Sequence, residues 1–376
     1  MAALHAGIPI STSIATVNRQ CSSGLTAVNQ IAAQIIADQI DIGIGTYLTH
    51  LLPSISPNLS GIGAGVESMT FGYGPASLPD GWSETVLSNQ DAEDCLLPMG
   101  VTSENVAADY GITRAQQDAF AARSFQKAGA AAKAGRFRDE IVPLKVHWVD
   151  PKTEQVKEIV VAADDGVRDG VTAESLSKLK PAFKKDGSTH AGNASQVSDG
   201  AAAVLLTRRS VAKRLGLPIV GKFVAASTAG VPPRVMGIGP AVAIPKVLNQ
   251  TGLTPDDVDF FEINEAFASQ AVYCIEKLGL PYEKVNLHGG AIAIGHPLGM
   301  SEFFSTFDAG RRADPFFLNS RCTPDRHRSQ HREAGKQANI CDEHVHRLGH
   351  GHGCGVRERA LSTLENDGTF FWWPLQ

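Results

Sequence analysis

Val17-Asn18-Arg19-Gln20-Cys21-Ser22-Ser23-Gly24-Leu25 opens a stretch in which Leu25, Val28, Ile31, Ala32, Ile35 and Ile36 recur at helical spacing, and Ile40-Asp41-Ile42-Gly43-Ile44 then alternates as a strand. From residue 12 to about residue 298, Ala-rich helical stretches alternate with short β-branched runs, the pattern of an α/β protein. Residues 94–137 read as helical and exposed, with Ser103 as a cap and Glu104 and Arg114 in the polar set. Core-like Ala, Val and Leu return over residues 191–206. A second α/β half is expected beyond them, with strands at 220–225 and 258–263 and helices at 241–250 and 266–278.

The chain has 376 residues, room for two or three domains at about 150 residues each. With 34 Lys plus Arg against 39 Asp plus Glu, and 43% hydrophobic residues, neither a disordered chain nor a basic nucleic-acid footprint is expected. No apolar run reaches a membrane span, and the first residues lack the basic-then-apolar order of a secretory signal. Six cysteines, none in a C-x-x-C pair, read as reduced thiols of an intracellular protein. They are unevenly spread: Cys322, Cys341 and Cys354, with His327, His331, His344, His346, His350 and His352, all follow residue 320.

Three places carry chemistry. Cys21 stands at the start of a patterned apolar helix, where the macrodipole and free backbone N–H groups favour a nucleophilic thiolate; the competing reading is a buried structural cysteine. Phe261-Glu262-Ile263-Asn264-Glu265-Ala266-Phe267 runs from a strand end into a helix, where Asn264 and Glu265 form an ordinary cap or orient a water or substrate carbonyl. His288-Gly289-Gly290-Ala291-Ile292-Ala293-Ile294-Gly295-His296-Pro297-Leu298-Gly299 is a Gly-dense loop that lets backbone approach a ligand at Gly289, Gly290 and Gly295. In it His296 is either a base and thiolate partner or a satisfied loop histidine.

In order and wording the three elements resemble the thiolase family. Gly65-Val66-Glu67-Ser68-Met69, Ala191-Gly192-Asn193-Ala194-Ser195-Gln196-Val197-Ser198-Asp199-Gly200 and Met236-Gly237-Ile238-Gly239-Pro240 add to the match, which covers residues 1–300. The Arg19-Gln20-Cys21-Ser22-Ser23-Gly24 wording resembles the degradative, peroxisomal 3-ketoacyl-CoA thiolases. The resemblance implies duplicated α/β halves in α-β-α-β-α layers, with an inserted loop domain. Its boundaries here are residues 1–69 for part of the N-terminal half, 70–190 for a CoA-binding loop domain, 191–216 for the end of the first half and 217–300 for part of the second. It further implies a homodimer in peroxisomal fatty-acid β-oxidation, with acyl-CoA and CoA as substrates, no cofactor, and no nucleic-acid or membrane partner. The implied catalytic residues are Cys21 as nucleophile, His296 as its base and Asn264 as holder of an oxyanion water, with Gly289, Gly290 and Gly295 at the substrate. The family uses a second cysteine in a Cys-Ile-Gly loop, and no Cys-Ile-Gly occurs in this chain.

Three departures from the family accompany that gap. Met1 falls where the family is already mid-domain, so an N-truncated first half without its targeting signal is expected, and Pro374-Leu375-Gln376 is no peroxisomal address. Residues 46–63 intrude into a strand. Gly45-Thr46-Tyr47 permits GGT-ACG-TAY, with the intron donor GTACGT, and Ile62-Gly63 permits ATA-GGN, with the acceptor TAG, so an 18-codon intron-derived insertion is expected. After Met300 the family wording ceases. Ser301-Glu302-Phe303 permits a second donor, and Asn319-Ser320 an acceptor. Read one base later, residues 321–327 can encode GARQIAT, and residues 340–359 can encode SATSMCIGSGMGMAAVFERE, which holds the absent Cys-Ile-Gly loop. Residues 301–376 are thus expected to be a frameshifted, disordered tail, and its His/Cys cluster a by-product rather than a metal site. The chain as written is expected to fold poorly and turn over little substrate. The alternatives are a non-catalytic thiolase-like subunit partner and a ketosynthase-type condensing enzyme.

Overall fold

The computed structural model describes residues 2–10, 12–40, 42–43, 62–74, 81–150, 152–300 and 368–371. In chain order its helices are α1 (Ala2–His5), α2 (Ser23–Ile36), α3 (Met69–Gly72), α4 (Glu84–Leu87), α5 (Gln90–Asp94), α6 (Met99–Tyr110), α7 (Arg114–Lys133), α8 (Ala173–Ser177), α9 (Arg209–Leu215), α10 (Gly239–Thr251), α11 (Ala268–Leu278) and α12 (Ala291–Ile294). The strands are β1 (Ile42–Gly43), β2 (Ile62–Ser68), β3 (Leu144–Val149), β4 (Val156–Val161), β5 (Asp199–Arg208) and β6 (Gly368–Phe371). Among the described residues no helix is long and apolar enough to cross a membrane.

Strand β5 organises the larger sheet. Its Leu206 pairs with Gly43 and with Phe370, and its Leu205 pairs with Ile62 and with Phe371, all antiparallel. A strand has only two edges, so β1 and β2 share the edge opposite β6. Along that edge the partner steps from Leu206 to Leu205 while the chain steps from Gly43 to Ile62. β1 and β2 are therefore one ladder, and the eighteen residues 44–61, which lie outside the described residues, are surplus to its register. The insertion expected at 46–63 is the same cut, because Ile44-Gly45 repeats Ile62-Gly63 and either excision leaves the same polypeptide.

Helix α2 covers this sheet with Val28 and Ile35, which pack on Val204 and Leu206 of β5. The helix lies so close to β2 that a Cβ on Gly63 would stand 2.8 Å from the Val28 nitrogen, which is why a glycine sits there. A second, larger core joins α7 to α11 and α12 through Phe120, Phe125, Ala128, Val272, Ile275 and Ile292. Small residues on α7 allow the close approach, and a capping box between Thr113 and Gln116 starts the helix. The β3–β4 hairpin leaves both faces exposed to solvent.

Several expectations differ from the structure. Within the tail expected to be disordered, Gly368–Phe371 form β6 on β5, and the rest of residues 301–376 lies outside the described residues. Residues 94–137 form two main helices rather than one exposed one, because Gly111 at φ 70° ends α6 in the left-handed region and Thr113 starts α7. Ser103 is no cap: it is buried within α6 and hydrogen-bonds Thr189 and Ser269 at 2.7 Å each. Glu104 is buried as well, accepting from the Ser188 and Thr189 amides. The strands expected at 220–225 and 258–263 do not form. Phe261 makes a single bridge to Val285, and strand backbone without a continuous partner has nothing to pair with. Helices α10 and α11 form as expected, so among the described residues the second half is helical without its own sheet.

The ladder yields a test. Closing an 18-residue loop costs about 2 to 3 kcal/mol of chain entropy, so a variant lacking residues 44–61 is expected to keep its circular-dichroism spectrum and melt several degrees higher. A variant that loses its fold contradicts the register.

Candidate active site

Cys21 sits in a tight turn directly ahead of α2. Gln20 adopts φ 51°, a strained value for a residue with a side chain, and the strain is held by local bonds. Ser23 Oγ donates to the Gln20 carbonyl at 2.6 Å and accepts from the Arg19 amide at 2.8 Å, while the Gln20 amide donates to Asn18 Oδ1 at 3.0 Å. The half-buried thiol is thereby presented at the end of a 14-residue helix whose dipole favours negative charge on sulfur.

Asn264 and His296 meet at a second locus: Asn264 Nδ2 lies 3.3 Å from His296 Nε2. With the amide nitrogen turned to the ring, Nε2 accepts and the ring proton sits on Nδ1. His296 Nδ1 is buried with no hydrogen-bond partner among the described residues. That orphaned Nδ1–H is a donor without an acceptor, while the basic lone pair of the ring is on Nε2, beside Asn264. Burial pushes the His296 imidazole down to about 4, so the ring is neutral and able to take a proton at physiological pH. Its backbone N–H donates to the Gln196 carbonyl, and the Gln196 side chain donates to the Ile292 and Ala293 carbonyls, so one residue clamps the turn ahead of the histidine.

The two loci are neighbours. A Cβ on Gly299, three residues past His296, would stand 3.2 Å from Ser23 Cβ and 3.5 Å from the Gln20 carbonyl oxygen, on the two flanks of Cys21. Gly295 is held at φ 98°, with its Cβ position filled by Ser198 Oγ at 2.4 Å, so only glycine fits before the histidine. The sites of Gly289 and Gly290 differ from the expectation of a ligand-facing backbone. Their open sides are filled from within the protein, by the Ser124 carbonyl at 2.5 Å and the Glu265 carboxylate at 2.4 Å from the respective Cβ positions. Gly289 thus serves the packing of α7 on the loop, and Gly290 leaves room for the Glu265 carboxylate.

Glu265 is neither the cap nor the carbonyl-orienting group that its element suggested: Phe267 is the N-cap of α11, and the carboxylate is bonded to Ser124 of α7, Asn286 and the Ile292 amide of α12. A further buried set, Asp118 with Arg114, His190 and Asn193, pins residues 188–193 to α7. Desolvation opposes the charge on Asp118, but its His190 and Arg114 partners hold the carboxyl below the usual carboxylate range. Among the described residues no three His, Cys, Asp or Glu side chains could hold a metal, and the cluster from Cys341 to Cys354 lies outside them.

Residues 1–46 and 59–210 match the thiolase N-terminal domain family, and residues 217–305 match the thiolase C-terminal domain family. The stretch left out between the first two segments falls inside the eighteen residues surplus to the ladder. The peroxisomal 3-ketoacyl-CoA thiolase of Yarrowia lipolytica is 57% identical over 298 residues, 79% of this chain and 67% of that protein. The peroxisomal 3-ketoacyl-CoA thiolase 2 of Arabidopsis thaliana is 54% identical over 299 residues, 80% of this chain and 60% of that protein. The chain thus spans about 60 to 67% of the length of these relatives. The crystal structure of the dimeric peroxisomal thiolase of Saccharomyces cerevisiae superposes with a TM-score of 0.72 at 51% identity, covering 83% of this chain and 73% of that one.

The buried ring also sets a pH dependence. An unfolded histidine titrates near 6.5 and the folded one at about 4, so the unfolded chain takes up a proton that the folded chain refuses. Stability is therefore expected to fall by about 3 kcal/mol as pH drops through that window, and the His296→Asn variant should lose this part of the slope in denaturant titrations. Parallel slopes for the two proteins would contradict the burial of a neutral ring.

Proposed function

Because the chain belongs to the thiolase family, we propose that it acts by acyl transfer through a cysteine thioester, in the thiolytic cleavage of a 3-ketoacyl-CoA by CoA. The observation that carries the reading is the neutral, buried His296 held on Asn264 and packed, through Gly299, against the strained Cys21 turn. His296 takes the Cys21 proton, and the sulfur attacks the 3-keto carbon. The bond between carbons 2 and 3 then breaks, and its electron pair leaves on the acetyl-CoA carbanion, which must take up a proton. An acyl group two carbons shorter stays on Cys21 until the thiol of CoA attacks it and regenerates the cysteine thiol. Asn264, beside the ring, holds a water against the developing oxyanion.

The chain carries no Cys-Ile-Gly loop, the family's source of the carbanion's proton. Acylation of Cys21 is accordingly expected to outlast turnover. Residues 70–190 are the proposed CoA-holding segment, a homodimer is the proposed assembly, and the peroxisome, named for the relatives, is the proposed compartment. Nothing beyond the two CoA substrates is required as a cofactor. The Asn264-Glu265-Ala266-Phe267 and Gly295-His296-Pro297 wording favours a thiolase over a chain-extending condensing enzyme.

Mixing the protein with excess acetyl-CoA and following thiol release separates these steps. A burst of about one CoA per chain is expected, with little release after it; Cys21→Ser should abolish the burst and His296→Ala slow it by about 10²-fold or more. A burst that survives Cys21→Ser would overturn the assignment of the nucleophile.

A further inference from the structure

We propose that Glu265 is a positioning residue whose carboxylate fastens the Asn264 and His296 segments to each other and to α7, an inference that rests on the acyl-transfer reading above. Glu265 is 1% exposed and follows Asn264 directly in the chain. Its Oε2 accepts from Ser124 Oγ of α7 at 2.5 Å and from the Ile292 amide of α12 at 3.3 Å. Its Oε1 accepts from Asn286 Nδ2 at 2.7 Å. Asn286 in turn clamps residue 263, accepting from the Ile263 amide at 2.7 Å and donating to the Ile263 carbonyl at 2.8 Å. Ser124 Oγ also accepts from the Gly290 amide at 3.0 Å, at the root of the turn that ends in Gly295 and His296.

One carboxylate thus touches the chain on both sides of the Asn264–His296 pair, one residue from Asn264 and four from His296. Among the described residues no sheet joins the two loops that hold that pair, and Glu265 supplies one cross-link between them, beside the one made where the Ser195 amide donates to the Ala266 carbonyl and the His296 amide to the Gln196 carbonyl. All three direct partners are donors, which suits an ionised acceptor. Lys127 adds its charge from α7, anchored on the Tyr282 and Val285 carbonyls. Burial pushes the Glu265 carboxyl above its ordinary range, while the Ser124, Asn286 and Ile292 donors and the Lys127 charge draw it back. The cavity beside the carboxylate, between Lys127, Tyr282 and Asn286, is no larger than one water, so Glu265 positions other groups and does not meet substrate there. The same carboxylate explains Gly290, because any side chain at that position would collide with it.

The pH profile of Cys21 alkylation by iodoacetamide, read on its own peptide by mass spectrometry, tests the role without requiring turnover. The wild-type profile is expected to depend on His296, with His296→Ala giving that of an ordinary thiol. Glu265→Ala should move the profile toward that of His296→Ala and slow alkylation at neutral pH by about tenfold. Glu265→Gln, which can keep the Ser124 and Asn286 contacts but presents N–H to the Ile292 amide, should fall between them, about threefold down. Val106→Ala, which opens the separate small core of Val106, Val235 and Ile238, should lower the melting temperature and leave the profile unchanged. A folded Glu265→Ala protein with the wild-type profile overturns the proposal, as does a Val106→Ala protein whose profile moves as far. If Glu265→Ala does not fold, an unchanged profile in Glu265→Gln overturns it. A wild-type profile indifferent to His296→Ala instead overturns the underlying acyl-transfer reading.

Discussion

Phe120, Phe125 and Ala128 of α7 pack on Ala268, Val272 and Ile275 of α11 and on Ile292 of α12, and the position of the reactive groups follows from that dry contact. Asn264 and Glu265 lie just ahead of α11, and His296 lies just beyond α12, so the helices fix both ends of the pair. Each of these large side chains contributes about 1.5 to 3 kcal/mol by leaving water. That contact holds Glu265 and His296 in a dry interior, where burial keeps the imidazole neutral and makes every hydrogen bond to the carboxylate count.

The sheet around β5 has a different logic. Its register is continuous across residues 44–61, since a ladder registers only where pairing resumes and not how much chain intervenes, and the intervening chain costs only closure entropy. Helix α2 is laid on that sheet through Val28 and Ile35, and the Cys21 turn is the first thing at its N-terminal end. The nucleophile therefore depends on one core and the base on the other. Gly299 against Ser23 is a place where the two touch.

What could be read from the sequence divides along the same physical line. The helices α2, α10 and α11 carry their own 3.6-residue periodicity, so residues 23–36, 239–251 and 268–278 lie close to where their apolar spacing puts them. Cys21, Asn264 and His296 stand in short, distinctive elements. The burial of Ser103 and Glu104 could not be read, because they are polar residues satisfied by a segment some 85 positions away. The expected strands over 220–225 and 258–263 failed for a related reason. Their composition is right for a sheet, but a strand is a property of two segments, and no partner strand stands beside them among the described residues. The roles of Gly289 and Gly290 were likewise hidden, since a glycine demanded by a neighbouring carboxylate reads the same as one demanded by a ligand.

The most direct measurement is to incubate the folded chain with a short-chain acyl-CoA, quench it, and map the acyl group by peptide mass spectrometry across all six cysteines. A label confined to Cys21, with Cys95 and Cys274 unmodified, is the expected result, since Gly299 packs the loop that carries His296 against the Cys21 turn. A label spread over the cysteines in proportion to their exposure, or absent from Cys21, would contradict the claim that these two cores assemble an acyl-transfer site.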